Sequence, residues 1–444
     1  MSLPLVKETL TLANARAMAA SAPDFLLATA KKVGPNFKAG VGPITLKVIA
    51  APEVLQQVLQ KQSRSWGRGS SVNAIRPLLG NGLPLSDPPL WLTQRRTMQP
   101  SFQRAHGPEW VMAMRAVAGA ALGALSAGQE LLTRPLFMNI ARDVITRSMF
   151  SQPIGSQTQP FDEAFGVVED YVSTVMVPGK LPLWVPTPTH QRFKRAVAFL
   201  HQHLQALIDA RRKQESPPHD LLTLLIAARD PETGMPMSDA QLRDEVMNIF
   251  FAGHETTANL MTWAVYLLSQ HPNVHQRAEA EVQEVLGGRA PEPEDLSKLK
   301  FLSAVIREAL RLYPPAWLFA RQAFEDQEVA GEPVKKGDVV LVLPYITHRL
   351  PELWKEPEAF DPARFELEQS TDAAVWKYAY LPFGAGPHVC IGNHFALLEA
   401  LTVLSMLLQR GRLEVLRPEE VRPKMGATLF VGNGLPARFV ARPQ

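Results

Sequence analysis

One cysteine constrains this chain more than any other residue. Cys390 is the single cysteine among 444 residues, and it lies in the glycine-rich stretch LPFGAGPHVCIGNHF (381–395). Because one cysteine cannot form an intramolecular disulfide, a large apolar core has to hold the fold together. One sulfur also cannot complete a closed zinc or iron–sulfur site, which needs about four ligands. Cys390 is therefore either a buried thiol in a glycine turn or the only thiolate ligand of a cofactor.

The residues around Cys390 favour the second interpretation. A helical pattern over 391–410 follows the cysteine, and the free N–H groups at a helix N-terminus stabilise negative charge. Gly384, Gly386 and Gly392 leave room for backbone N–H groups or a large flat ligand near the sulfur. A single axial thiolate is a ligation that haem iron uses.

Helical periodicity dominates the rest of the chain, and strand signals are few and short. We predict helices over 105–127, 135–150, 162–176, 190–213, 238–270, 272–286, 298–313 and 391–410. Strands are expected at 45–51 and 338–345 and near 317–334, 411–417 and 425–442. No internal repeat or biased linker divides the sequence. These patterns predict a mainly helical fold with a small β-rich portion, in a single domain over residues 1–444.

The net charge and the N-terminal sequence indicate which partners and which cellular compartment to expect. The net charge of +3 is too small to indicate a nucleic-acid partner. The first 32 residues contain no apolar run near the roughly 20 residues that a membrane span needs, and no secretory signal pattern. We expect a soluble cytoplasmic protein without a membrane span, and a peripheral membrane contact stays open.

Polar residues interrupt the longest predicted helix in the segment IFFAGHETTANL (249–260). Gly253 costs roughly 1 kcal/mol there relative to alanine. Glu255 and Thr256 place a carboxylate and a hydroxyl in an otherwise apolar helix, and a threonine hydroxyl can bond a preceding carbonyl and bend the helix. The segment is therefore either a buried polar kink or a bend that opens room for a small ligand.

Together these motifs resemble the cytochrome P450 superfamily. Phe383, Gly386, Cys390 and Gly392 match its cysteine-loop signature, and His388 stands where that signature usually has arginine. The resemblance extends over nearly the whole chain and implies the cytochrome P450 fold, a triangular helical prism around haem b with Cys390 as the axial thiolate. Within the superfamily, the runs ALRLYPPAW and AGHETT look like those of bacterial members related to fatty-acid and carotenoid hydroxylases.

The resemblance also assigns residues to the cofactor and to oxygen. Trp91 and Arg95, one helical turn apart, match a Trp-x-x-x-Arg motif, and with Arg321 and His388 they would serve the haem propionates. The segment 249–260 resembles the oxygen-activating motif, with Thr256 bonding the dioxygen and Glu255 relaying protons. Ala252 and Gly253 would face the haem and the oxygen.

A structural cluster is implied as well. Glu308 and Arg311 are an i, i+3 pair on one helical face, which by default is a surface pair of little energetic value. In the family this Glu-x-x-Arg motif is completed by a second arginine, here Arg364 in FDPARF, although Ala363 stands where many members have glutamate. The three would lock the segment that supports the cysteine loop.

The same resemblance predicts the substrate pocket and the partners. The pocket would draw on the lid 67–88 and on apolar or small residues, namely Ala252, Ala316, Trp317, Leu318, Phe319, Thr428 and Leu429. Core packing is the alternative for Trp317 and Phe319. The substrate would be a lipophilic fatty acid, terpenoid or steroid-like molecule. Electrons would come from a separate ferredoxin or flavodoxin and its reductase, and a monomer is expected.

Other functions stay open on the sequence alone. A peroxide-driven peroxygenase, a haem isomerase or a haem-binding sensor would share the fold, but these would have no use for the acid–alcohol pair. A cysteine nucleophile hydrolase needs a histidine base, which His388 or His394 could supply, yet no orienting partner is evident. His201 and His203 point about 200° apart on one helix and cannot bind one metal ion, so we predict that they are surface residues.

Overall fold

The computed structural model describes residues 5–6, 17–18, 21–41, 44–73, 75–151, 158–173, 183–366 and 373–442. The α-helices in these ranges are α1 (Ala22–Val33), α2 (Pro52–Gln56), α3 (Arg76–Leu79), α4 (Leu90–Met98), α5 (Gly107–Gly123), α6 (Thr133–Phe150), α7 (Thr158–Ser173), α8 (Pro188–Arg212), α9 (Leu221–Ala227), α10 (Asp239–Gln270), α11 (Pro272–Leu286), α12 (Pro293–Leu296), α13 (Lys300–Leu312), α14 (Pro344–Thr347), α15 (Ala373–Ala379) and α16 (Asn393–Arg410). A π-helical turn at Gln57–Lys61 continues α2.

The strands are short and form one larger sheet and three small ones. They are β1 (Leu5–Val6), β2 (Phe37–Val41), β3 (Ile44–Ile49), β4 (Trp66–Gly67), β5 (Glu130–Leu132), β6 (Phe319–Ala323), β7 (Gln327–Val329), β8 (Glu332–Val334), β9 (Val339–Val342), β10 (Gly411–Val415), β11 (Pro423–Met425), β12 (Leu429–Val431) and β13 (Pro436–Ala441). The six-stranded sheet has the order β1-β2-β3-β9-β6-β4, and a three-stranded sheet has the order β10-β13-β5. Antiparallel pairs β7–β8 and β11–β12 complete the set.

Helix α10 runs through the main hydrophobic core and positions the site. It begins at the N-cap Ser238, whose hydroxyl accepts from the Gln241 N–H, and α11 begins directly after it at Pro272. The core around it contains buried apolar residues from α5, α6, α8, α13 and α16. A second cluster joins α1 to the sheet, and a third lies between the sheet and α2.

The predicted fold class, mainly helical with a small β-rich portion, is confirmed. All eight predicted long helices are present, with ends shifted by a few residues because capping decides where a helix stops. Helices α1, α9 and α15 were not predicted, since each is short and takes its stability from tertiary packing. Within the described ranges, no helix is long and apolar enough to cross a membrane.

Part of the predicted lid is fixed to α10. We name residues 79–86 the anchored loop, because side chains of α10 hold its backbone. Asp244 accepts from the Asn81 N–H at 3.0 Å, Glu245 accepts from the Leu83 N–H at 2.9 Å, and Asn248 donates to the Leu79 carbonyl at 2.6 Å. The lid is therefore restrained at its C-terminal end.

Candidate active site

The cysteine loop, residues 381–392, is shaped by two close backbone approaches. The Cys390 N–H donates to the Phe383 carbonyl at 2.9 Å, which closes the loop. Gly386 has φ +70, and a Cβ there would lie 1.9 Å from the carbonyl oxygen of Leu59 in the π-helical turn. Glycine is required at this position because no side chain fits between the two backbones.

The Cys390 side chain faces a recess inside the fold. It is accessible, although Leu381, Pro382 and Ala385 of the same loop are buried. Desolvation by the surrounding protein raises the pKa of the thiol, while the Gly392 N–H and the nearby Arg95 oppose that rise. A metal ion at the sulfur would favour the thiolate much more strongly than these two groups do.

Gly392 adds a second indication of a ligand. Its φ of −92° is ordinary for any residue, and a Cβ built there would meet no protein atom within 4 Å. The protein fold alone therefore gives no reason for glycine at this position. A flat group lying against the backbone beside the sulfur would give one.

Four basic side chains converge beside the cysteine loop, and we call them the cation cluster: Arg68, Arg95, Arg321 and His388. Arg95 Nη1 donates to the Val389 carbonyl at 2.8 Å, and Arg68 Nη2 lies 3.4 Å from His388 Nδ1. Because a guanidinium can only donate, Nδ1 accepts and Nε2 of His388 carries the hydrogen. Trp91 stacks on His388 with ring centroids 4.0 Å apart.

The cation cluster is short of negative charge. Burial lowers the pKa of Arg68 to about 10 and lowers those of Arg95 and Arg321. Burial, followed by Arg68, Arg321 and Arg95, also lowers the pKa of His388 to about 3. Guanidinium groups stay charged at neutral pH, so burial makes their charge costly, and at Arg321 and His388 the neighbouring arginines add to that cost. Two carboxylates, as haem propionates supply, are the group that this cluster fits.

The predicted Glu-x-x-Arg motif forms a buried ion-pair cluster, which comprises Glu308, Arg311 and Arg364. Glu308 and Arg311 have no exposed side-chain surface, and they make two bonds of 2.6 and 2.7 Å. Arg364 Nε lies 3.3 Å from the same carboxylate. Arg311 also donates to three main-chain carbonyls, those of His348, Pro357 and Ala359. The structure thus brings the three predicted residues together around the segment 348–361.

His348 connects this ion-pair cluster to the cysteine loop. Its Nδ1 lies 3.1 Å from the Arg311 carbonyl, and its Nε2 accepts from the Leu381 N–H at 2.7 Å. Burial, with Arg311 as the next cause, lowers the pKa of His348 to about 3. The ring is therefore neutral, with the hydrogen on Nδ1, and it transmits the position of α13 to the start of the loop.

The oxygen motif of α10 is bent by its own hydroxyl groups. Thr256 Oγ1 donates to the Ala252 carbonyl at 2.7 Å, and Ala252 is exposed although its helix crosses the core. Gly253 packs close to a neighbouring helix, since a Cβ there would come 3.1 Å from Ile145 of α6. Helix packing is therefore one reason for glycine at this position, and the cofactor-facing role of Gly253 stays a prediction.

The carboxylate of Glu255 belongs to a polar network that the sequence did not reveal. Arg134 Nη2 donates to it at 3.1 Å, and the Thr428 hydroxyl donates to it at 2.8 Å. Asn259 links both partners, accepting from Arg134 at 2.9 Å and donating to Thr428 at 2.9 Å. The acid is thereby held between α6 and the turn before β12.

The predicted pocket residues divide into two groups. Trp317 and Leu429 are buried in the second core cluster, which includes side chains of α1. This position favours the core-packing alternative for Trp317, and a pocket role stays a prediction for both residues. Ala316 is exposed, Leu318 and Phe319 are half-buried, and Thr428 lies beside Glu255. The pocket role stays a prediction for these four and for Ala252.

Two predicted surface histidines are also half-buried. His201 Nε2 lies 2.8 Å from the Leu78 carbonyl, and the His203 ring packs 5.3 Å from that of Phe161. Helix α8 is therefore packed on two sides, with His201 toward Leu78 of α3 and His203 toward Phe161 of α7.

Comparison with known proteins identifies the family. The sequence matches the family described as cytochrome P450 over residues 7–439. The chain belongs to the cytochrome P450 family and is an oxidoreductase of the monooxygenase class. Family membership implies a haem, and both the accessible thiol of Cys390 and the cation cluster fit one.

Three relatives cover most of the chain. Cyclooctatin synthase of Streptomyces melanosporofaciens is 34% identical over 98% of this chain and 94% of its own length. Cyclooctat-9-en-7-ol 5-monooxygenase of the same organism is 36% identical over 88% of this chain and 83% of its own. Pentalenene oxygenase of Streptomyces avermitilis is 33% identical over 92% of this chain and 91% of its own length.

Proposed function

We propose that this P450 hydroxylates a terpenoid, inserting one oxygen atom of O2 into a C–H bond. Three relatives that match most of the chain carry the names of terpenoid-oxidising enzymes. The residues that remain pocket candidates are small or apolar apart from Thr428, which suits such a substrate. The observation that carries the proposal is the accessible Cys390 thiol beside a buried cation cluster.

The residues of the chain hold the cofactor in three ways. Cys390 would supply the thiolate that holds its iron, and Gly392 would leave room for it beside the sulfur. Arg95, Arg321 and His388, joined by Arg68, would bind its two carboxylates. When bound, the haem supplies the activation of O2 by two electrons and the oxygen transfer.

Thr256 and Glu255 would control protons at the oxygen side. The Thr256 hydroxyl donates to the Ala252 carbonyl at 2.7 Å, and it would leave this acceptor to hold or pass a proton at Oγ1. Glu255 is partly exposed and is held by Arg134 and Thr428. To deliver a proton it would leave one of these partners and turn toward Thr256.

The remaining features of the proposal follow from the family. A separate ferredoxin or flavodoxin system would deliver electrons one at a time to the face behind Cys390. The chain would act as one domain and as a monomer in the cytoplasm. A peroxide-driven reaction is the alternative, and the intact Glu255–Thr256 pair argues against it.

The reduced protein tests the ligand, and turnover tests the reaction. With carbon monoxide, the dithionite-reduced protein should show a strongly red-shifted Soret band, and Cys390→Ala should abolish it. Terpenoid hydrocarbons and alcohols should then shift the spin state, and product should require electrons from the redox system. Turnover that proceeds with peroxide and ignores electron delivery would instead establish the alternative.

The role of Thr256 can be separated from a general effect on the helix. Thr256→Ala should lower the fraction of electrons recovered in product by about tenfold and release peroxide. Thr262→Ala is the matched control, because Thr262 makes the same bond to Ala258 at 2.7 Å in a buried part of α10. Equal coupling in the two variants would remove Thr256 from proton delivery.

A further inference from the structure

Two histidines and a glutamate meet at a cleft at the start of α5, away from the cysteine loop. We call His106, Glu109 and His219 the His–Glu cluster. His106 caps the N-terminus of α5, Glu109 lies in the first turn, and His219 comes from the loop before α9. Their ligand atoms all lie within 4.8 Å of one another. Neither the family motifs nor the proposed function uses these residues.

The three side chains lie near one another, with one ligand atom from each inside a span of 4.8 Å, which is wider than the spacing in a bound metal site. His106 Nδ1 lies 3.6 Å from one Glu109 oxygen, and His219 Nδ1 lies 3.3 Å from the other. The first distance is too long for a hydrogen bond and the second is at the long end. In a tetrahedral zinc site with bonds of about 2.1 Å, neighbouring ligand atoms are about 3.4 Å apart.

The backbone on both sides of the His–Glu cluster is held in place. Asp220, next to His219, caps α9 by accepting from the Thr223 N–H at 3.0 Å, and it also pairs with Arg211 and accepts from Ser151. The His106 ring has 17% of its side chain exposed and lies 5.6 Å from the His219 ring. The other two side chains are more open, with 62% of His219 and 51% of Glu109 exposed.

The open side of the cluster faces a cleft of about 350 Å³, which Trp110, Ser148 and Asp220 help to line. Three protein ligands leave a tetrahedral ion one position, and here that position opens into the cleft. Arg147 also lines the cleft, so a water molecule or an anionic oxygen would be the favoured fourth ligand.

We propose that the His–Glu cluster binds a divalent transition-metal ion, with zinc as the best match to two imidazoles and a carboxylate. The ion would join the loop before α9 to the start of α5. That start packs on the cysteine helix, since Trp110 lies edge-on to Phe395 of α16 with ring centroids 5.3 Å apart. Metal binding should thus stabilise the proximal side of the enzyme, and it does not depend on the proposed substrate.

Zinc titration of the haem-loaded, chelator-treated enzyme at pH 7.5 tests the site. Calorimetry should give one zinc ion per chain with a dissociation constant in the micromolar range or below, and thermal unfolding should shift upward with zinc. His106→Gln and His219→Gln should each weaken binding by about tenfold or more and remove the thermal shift.

The control variant is His275→Gln, which removes a half-buried histidine beside another glutamate, Glu279, in α11. It should bind zinc like the wild type. An unchanged haem spectrum will show that each variant is folded, and Glu109→Gln provides a second variant with a smaller change in shape. Zinc binding that is equal in the wild type and in all ligand variants, or absent from the wild type, would overturn the proposal.

Discussion

Two buried polar clusters contact opposite ends of the cysteine loop, and they balance charge in different ways. In the ion-pair cluster, Arg311 is matched by Glu308 and by three main-chain carbonyls. In the cation cluster, three guanidinium groups and an imidazole lie together, and among the described residues Asp87 is the carboxylate that opposes them. Among the described residues, carboxylate and carbonyl groups match the ion-pair cluster, whereas arginines outnumber carboxylates in the cation cluster.

The difference separates a structural site from a ligand site. Breaking one partner of a buried ion pair leaves an uncompensated charge, so a complete cluster is costly to disturb. A cluster with excess charge is already costly, and a ligand of opposite charge lowers that cost when it binds. Replacing an arginine should therefore destabilise the protein in the ion-pair cluster. In the cation cluster it should change stability little and weaken the binding of the ligand.

The largest effect is expected at Arg311. Arg311→Ala removes the partner of Glu308 and five hydrogen bonds at once, and it should destabilise the protein by about 3–5 kcal/mol. Chemical unfolding of the purified variant and its haem content at expression are the measurements. Arg307→Ala, at an exposed position of the same helix, should behave like the wild type. Normal haem loading in Arg311→Ala would contradict the structural role.

The next effect contrasts two buried glutamates. Glu308 has two arginine partners, so Glu308→Gln should cost about 3 kcal/mol by leaving positive charge unmatched. Glu399, on the cysteine helix, is also fully buried, and desolvation raises its pKa well above the usual value despite the Thr257 hydroxyl. Because Glu399 is then neutral, Glu399→Gln should change stability by less than about 1 kcal/mol. Equal losses of unfolding free energy in Glu308→Gln and Glu399→Gln would show that the two glutamates do not differ in charge balance.

The sequence predicts residues whose roles are encoded locally. The cysteine loop, the Glu-x-x-Arg helix and the Trp-x-x-x-Arg helix each place their residues at a spacing that one turn or one helix fixes. Gly386 is an example, since its φ of +70° belongs to the turn of the loop itself. The fold class was predictable for the same reason, because long helices carry strong periodicity.

Residues that act through tertiary contacts were not predictable. Arg68, Arg134 and His348 are ordinary residue types at no recognised spacing, and packing between distant segments brings them to the site. The same limit applies to the helices that pack near Gly253 and Trp317. Which side of a helix or strand a residue faces depends on the neighbour that packs there, and α6 and α1 are those neighbours.

A third buried acid, Glu245, should make the stability of the protein depend on pH. It is buried beneath the anchored loop, and desolvation, with Asp244 as a further cause, raises its pKa to about 8 against the opposing Leu83 N–H. The folded protein therefore keeps a proton that the unfolded chain has lost above its ordinary pKa. The contribution of Glu245 to the free energy of unfolding is fully present below the ordinary pKa of a glutamate. It is lost as the pH rises through the folded-state pKa of about 8.

Glu245→Gln should flatten this decline, whose slope for one proton is at most about 1.4 kcal/mol per pH unit. Unfolding midpoints between pH 5 and pH 9 are the measurement. Glu284→Gln, at an exposed position of α11, should leave the slope of the wild type intact. A slope that survives in Glu245→Gln would show that another group carries the pH dependence.

The smallest effect on stability is expected at Arg321, and it is the sharpest test of the comparison. Arg321 is 4% exposed, and it lies close to Arg68 in the cation cluster. Arg321→Gln relieves like-charge repulsion, so the unfolding free energy of the haem-free protein should stay within about 1 kcal/mol of the wild type or rise slightly. Haem should nevertheless transfer to apomyoglobin about tenfold faster, because a propionate loses a charged partner. If Arg321→Gln instead destabilised the haem-free protein as strongly as Arg311→Ala, the cation cluster would be a structural site. Its excess charge would then have to be balanced within the fold.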